Sequence, residues 1–268
     1  MYNVSSTKTR ISNNGACLNT GNGARHSGVD RWRMSWNGNK FAPPDDSSCV
    51  LYLPGHPGVG TTITDFSGQG NHGTITGATW VKLPSRLWVQ SFNGLTNLIT
   101  ITDAPSFNIT ATLTVLTWVT STDITAARQY ILSKYNTTGN QREWAIIKEQ
   151  LNGKFFVAFG DPVDGTLEGE QLSDSAYLVN NIWNHLGFTF SSGTCVLYAN
   201  GQAVASTVIT GAVPATLFNG TSNVKVGATG ADASLWGGKI GLPRIFSSAL
   251  TAPQIANIYQ QERYLFGV

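Results

Sequence analysis

Between residues 65 and 73 the chain reads Asp-Phe-Ser-Gly-Gln-Gly-Asn-His-Gly, just after an apolar run (Val50, Leu51, Tyr52, Leu53) and a Gly/Pro loop. Three glycines and an Asn in nine residues demand a sharply turning backbone, because these residues reach left-handed conformations at little cost. A chain that must turn this tightly between apolar runs is built from short extended elements.

The rest of the sequence supports that expectation. From about residue 86 to 246 it is a series of short segments rich in Val, Ile, Thr, Phe and Trp, separated by turn residues. Thr112 to Thr120 alternates apolar and hydroxylated residues, the pattern of a strand with one covered face. Further strands are expected at 128–135, 142–148, 154–159, 183–190, 195–200 and 223–227. Gly153 and Gly201 close Asn-Gly pairs between such runs, the strongest short hairpin signal, so Leu197 to Val204 reads as a hairpin. Near the C-terminus Thr251-Ala-Pro-Gln254 has the form of a helix cap, with Pro in the first turn and Gln at the third helical position. Ile255, Ile258 and Tyr259 then recur at helical spacing.

These motifs resemble the laminin-G-like (concanavalin A-like) jelly-roll domains. The resemblance rests on D-x-S-G-x-G-N-x-G followed by T-x-T-G-A-x-W, matched here by Asp65, Ser67, Gly68, Gly70, Asn71, Gly73, Thr74, Thr76, Gly77, Ala78 and Trp80. Leu197 to Val204 is similar to the family's L-Y-V-N-G-x-x-V hairpin, and Ala249 to Ile255 to its A-L-[ST]-x-x-E-I ending. The resemblance covers roughly residues 49 to 260. It implies an all-β fold, a two-sheet antiparallel jelly-roll sandwich with one short C-terminal helix. Residues 49–268 would form this domain and residues 1–48 an irregular N-terminal arm. A length of 268 residues suits one such sandwich plus an appendage.

The arm differs in kind. It is rich in Asn, Ser and Gly, and residues 1–40 hold Lys8, Arg10, Arg25, Arg31, Arg33 and Lys40 against Asp30 alone. On composition it reads as a solvated leader or as an arm that docks on a larger partner. The second reading rests on Trp32, Trp36 and Phe41, interleaved with Arg31 and Arg33, because such aromatics are expensive to leave in water and suit an anchor. The leader has no apolar core of a secretory signal, and no run is long enough to span a bilayer. Three cysteines (Cys17, Cys49, Cys195) make no disulfide framework, although Cys17 and Cys49 could pair under oxidising conditions. Synthesis in a reducing cytoplasm is the expectation.

Catalytic signatures are missing. The family-16 glucanases, relatives of this fold, carry E-x-D-x-x-E on one strand, where paired carboxylates flank the scissile bond. The nearest groupings here, Glu143 with Lys148 and Glu149, and Glu168 with Glu170, do not supply that triplet. His185 sits in a W-x-H-L strand, where the resemblance implies a structural role. No catalytic residue is assigned, and the chain is expected not to be an enzyme.

Calcium is the one cofactor left open, since laminin-G-like modules often hold it with carboxylates and loop carbonyls. The family's two acid positions are Gly55-His56 and Ile240-Gly-Leu-Pro-Arg244 here, so no metal ligand is assigned. Asp65 is expected to cap its own turn, and the acids between Asp161 and Asp174 to form a solvated loop. Trp236 and Tyr177 are the aromatics proposed to stack on a sugar, with Trp88 and Phe218 as lesser candidates.

The expected function is a structural or adhesive surface protein, such as a virion component (a bacteriophage decoration, head-fibre or tail protein) displaying the sandwich and anchored by the arm. The alternative is a secreted lectin-like carbohydrate-binding module, with a glycoside hydrolase third. Expected partners are other virion or surface-assembly proteins, host or environmental glycans, and further copies of the chain. Neither nucleic acid nor a membrane is expected among them. The expected location is a virion or extracellular surface.

Overall fold

A computed structural model describes residues 47–268; Arg31, Trp32, Arg33, Trp36 and Phe41 lie outside the described residues. Along the chain the strands are β1 (Cys49–Tyr52), β2 (Thr62–Ile63), β3 (Gly73–Thr76), β4 (Thr79–Lys82), β5 (Trp88–Asn93) and β6 (Leu98–Ile101). Then come β7 (Thr112–Ser121), β8 (Gln129–Asn136), β9 (Gln141–Lys148), β10 (Phe155–Gly160), β11 (Leu167–Ser173) and β12 (Asn184–Ser191). The last are β13 (Thr194–Ala199), β14 (Gln202–Val204), β15 (Ser206–Gly211), β16 (Val224–Val226) and β17 (Gly237–Phe246), followed by helix α1 (Ala252–Phe266).

They form two antiparallel sheets, a jelly-roll sandwich. One runs β14-β13-β12-β7-β17-β5-β4, with β1 also paired to β17; the other runs β15-β11-β10-β9-β8-β16-β6-β3-β2. Phe92, Trp144, Phe155, Phe159, Phe188 and Trp236 fill the space between them. The expected hairpin is present: Leu197 pairs with Val204 and Ala199 with Gln202 across Asn200-Gly201. Both turn residues have positive φ (50° and 79°), as a two-residue turn matched to strand twist requires.

The Gly-rich turn is fastened by one carboxylate. Asp65, 6% exposed, accepts hydrogen bonds from the main-chain N–H groups of Tyr52, Ser67 and Asn71, each at 2.9 Å, and from Ser67 Oγ at 2.7 Å. Asn71 Nδ2 in turn donates to Val50 O at 2.8 Å and to Ser106 Oγ at 2.9 Å. The motif therefore stitches its loop to the first strand.

The alternation in β7 led us to expect one covered face; both faces are covered. Leu113, Val115 and Val119 enter the core between the sheets, while Leu116 and Trp118 enter a second core on the other side. That second core is roofed by α1, whose Ile255, Ile258, Leu265 and Phe266 are buried. Phe266 stacks on Trp118 at 4.2 Å between ring centroids. Gln254 Oε1 accepts from Thr251 N–H at 2.8 Å, and Gly267 ends the helix in the left-handed region.

The same core holds buried charge. Arg244 follows a register break in β17 and forms an ion pair with Glu262 of α1. Its guanidinium lies over the Tyr52 ring at 4.3 Å. Glu262 also accepts from Trp118 Nε1 at 2.8 Å.

Candidate functional site

Most of the acids noted in the sequence are already engaged. Glu143 is buried, bound to Lys134 and to the Gly220 N–H at 2.8 Å. Burial raises its carboxyl pKa, while the attraction of Lys134 pulls it back down. Lys134 also reaches Asp103 at 3.0 Å, so one ammonium holds two carboxylates inside the fold. Glu149 and Glu170 share Arg128, at 2.8 and 3.1 Å. Asp161 accepts from the Val163 and Asp164 N–H groups, Asp164 from Thr166, and Asp174 from the Thr207 hydroxyl. No group of three potential metal ligands occurs among the described residues.

The two aromatics proposed for sugar stacking do not stand out from the surface. Trp236 is 0% exposed, within the core between the sheets. The Trp236 N–H donates to Gly227 O at 2.9 Å, a tie that turns this loop inward rather than outward. Tyr177 is half-buried, edge-on to Phe155 at 6.1 Å and packed against the same core. Trp236 offers no free face, while Tyr177 keeps part of its surface in solvent. Trp88 is half-buried with Lys82 Nζ 5.5 Å from its ring centroid, and Phe218 is likewise half-buried.

While some exposed apolar groups, such as Val59, Leu95 and Val163, are scattered over different loops, three others lie together in loops at one end of the sandwich. There β7 ends, β12 and β17 begin, and β9 turns into β10. Leu151, Val179 and Ile182 sit on loops at this end with exposures of 66%, 55% and 52%. The loops are interlocked. Gly153 O accepts from the Tyr177 and Leu178 N–H groups, Ser121 O from Asn181, and Asn180 Oδ1 from Ile124 N–H at 2.7 Å.

Lys148, fully buried, is the pin. Its ammonium donates to Ala126 O at 2.8 Å and more weakly to Ile124 O and Glu149 O. Burial pulls its pKa below the usual lysine value, with Asp123 and Glu149 opposing. Leu151 holds a left-handed φ of 69°, a conformation that costs a non-glycine residue energy and is uncommon for an aliphatic one. Leu151 is thus exposed and strained on a loop tied to its neighbours. Sequence reading missed this surface, although Tyr-Leu-Val-Asn-Asn-Ile-Trp at 177–183 hinted at it as an apolar loop between strands.

Residues 92–256 match the family profile described as the concanavalin A-like lectin/glucanases superfamily. The chain belongs to this superfamily, in its laminin-G branch. No curated protein matches it in sequence. Among solved structures it is similar to the binding domain of Paraclostridial Mosquitocidal Protein 1 (17% identity, TM-score 0.60, covering 80% of this chain and 52% of that one). It is similar to the botulinum neurotoxin serotype G binding domain (14%, TM-score 0.62, 80% and 51%). A third is the botulinum neurotoxin serotype D ligand binding domain in complex with N-acetylneuraminic acid (18%, TM-score 0.58, 81% and 51%). At these identities the likeness is one of fold, and the chain spans about half the length of each of these solved chains. No helix among the described residues is long and apolar enough to cross a membrane.

Proposed function

We propose that this chain is a non-catalytic adhesive component of a surface assembly, a virion such as that of a bacteriophage, with residues 49–268 displayed and residues 1–48 as the anchor. The observation that carries the binding reading is the pinned loop end bearing Leu151, Val179 and Ile182. A rigid, solvent-facing apolar cluster on a β scaffold is how binding loops are built. The carboxylates support the non-catalytic reading: Glu143 is held in a buried ion pair, and Glu149 and Glu170 are joined by one arginine. Neither arrangement leaves two acids facing each other across an open groove, as glycoside hydrolysis needs. Arg31, Trp32, Arg33, Trp36 and Phe41 are the proposed anchoring groups.

The test separates the two parts. Purified particles are incubated with the full chain, with a chain lacking residues 1–48, and with a Leu151→Ser/Val179→Ser/Ile182→Ser variant, and bound protein is measured by co-sedimentation. Loss of attachment on deleting the arm, with the fold retained, is expected. Undiminished attachment of the truncated chain would refute the anchor and place the contact on the sandwich. Should the triple variant still engage the external target, the loop end is not the binding surface.

A lectin-like reading is favoured by one observation, the fold's likeness to the botulinum neurotoxin serotype D domain solved in complex with N-acetylneuraminic acid. A glycan array with the full chain tests it directly.

A further inference from the structure

The outer edges of the two sheets are treated unequally. β2 has two residues and β14 three, β14 lies against α1, and β4 ends in Lys82. The free side of β1 is taken up by the turn motif, through Asp65 and the Phe66 N–H. Short strands, covers and lysines are the usual protection of a sheet edge.

Among the described residues β15 has none of these. It runs for six residues, Ser-Thr-Val-Ile-Thr-Gly, with no charge and no proline. All but Ser206 are exposed, and Val208 and Ile209 each show 43% of their surface. The nearby acids are drawn back onto their own sheet: Glu170 accepts from Thr210 Oγ1 and pairs with Arg128, and Asp174 accepts from Thr207 Oγ1. β15 itself carries no charge that would repel a second copy.

The strand is also complementary to itself. Thr207-Val208-Ile209-Thr210 reads nearly the same in either direction. Laid antiparallel against a second copy about a twofold axis between Val208 and Ile209, it sets Val208 opposite Ile209 and Thr207 opposite Thr210. Those are favourable cross-strand pairs of β-branched residues. Ile209 is the extra residue of a bulge, since Gln171 pairs with Val208 and Glu170 with Thr210. Bulges often blunt edges. Here the bulge falls on the proposed axis, so the two copies meet bulge to bulge and share one local twist.

We propose that β15 is a dimer seam, at which a second copy of this chain adds its own β15 antiparallel and joins two nine-stranded sheets across a twofold axis. An isologous contact of this kind closes on itself and stops at two.

Sedimentation velocity of the full chain under reducing conditions, from 1 to 200 µM, is expected to show a reversible monomer–dimer equilibrium. Val208→Lys and Ile209→Lys should each weaken it at least ten-fold while leaving the melting temperature unchanged, because both side chains are surface groups. A Thr207→Cys/Thr210→Cys variant should form a covalent dimer on mild oxidation, where the parent does not. A chain that stays monomeric throughout would overturn the proposal. So would a dimer that survives both lysine substitutions or fails to cross-link through the paired cysteines.

Discussion

Removal of Glu262 tests how the helix is held to the sheet. The side chain is 2% exposed, and its two oxygens serve the Arg244 guanidinium and Trp118 Nε1. Glu262→Ala deletes both acceptors at once. Arg244, 5% exposed, then keeps its charge beside Tyr52 without the carboxylate that balanced it. Breaking a buried pair by removing one partner costs about 3–5 kcal/mol, because the remaining charge cannot regain water. Against a typical stability of about 5–15 kcal/mol this is a large fraction. For a domain of this size it lowers the melting temperature by about 10 °C, at roughly 2–4 °C per kcal/mol. Urea unfolding at pH 7, followed by circular dichroism and tryptophan fluorescence, reads the loss. Glu262→Gln, which keeps an acceptor for Trp118 but not the charge, should fall between the two. The double variant Glu262→Leu/Arg244→Met should recover most of the stability, since a hydrophobic replacement of a buried pair is often neutral or better. A Glu262→Ala loss under about 1 kcal/mol, or a double variant no better than the single, would show that the pair is not what fastens α1.

Three further outcomes are expected. His185 is fully buried and its pKa is lowered to about 3, by burial first and then by the Arg244 charge. The unfolded chain therefore binds a proton near pH 6.5 that the folded chain refuses, so this histidine alone costs about 1.4 kcal/mol at pH 5.5. It is opposed by Glu143, whose raised carboxyl pKa favours the folded state as pH falls. His185→Leu should shift the pH dependence toward greater acid stability, and a pH dependence identical to the parent's disproves the assignment. Asp65→Ala strips four donors of their shared acceptor and should cost at least about 3 kcal/mol in urea unfolding, whereas a near-neutral result would mean that the turn holds itself. EDTA should leave the melting temperature within error, because the Asp65 oxygens are occupied by four donors; stabilisation by calcium of several degrees would contradict this, since a ligand of the native state must raise its stability.

What was legible in the sequence was local. The turn at Asp65, the Asn200-Gly201 hairpin and the Thr251 cap are each specified by a handful of adjacent residues, and each appears where expected. The resemblance to the laminin-G-like domains likewise captured the two sheets and the helix. What was not legible depends on partners far along the chain. Trp236 follows a loop of turn-forming residues, and only the tie to Gly227 and the start of β17 turn it inward. Thr114 and Thr117 made β7 look half-solvated, yet they are buried, because Thr114 donates to Ser248 O and Thr117 to Gly241 O. Hydroxyls that find carbonyls can line a covered face as well as an open one.

The same long-range logic governs the charges. This chain has only 12% charged residues, and it spends several of them indoors: Lys134 with Glu143, Arg244 with Glu262, and Lys148 on loop carbonyls. Each sits where distant segments meet, the first closing the loop at Gly220, the second the helix, the third the loop end around Leu151. Buried ion pairs add little net stability over well-packed apolar groups, but they punish a wrong arrangement severely. A sandwich held this way gains definition at its rims, where loops would otherwise move. Its outer surface carries the remaining charges together with hydroxyls, amides and exposed aliphatics, those of the loop end and of β15 among them. Contact through such groups relies on shape and burial more than on charge.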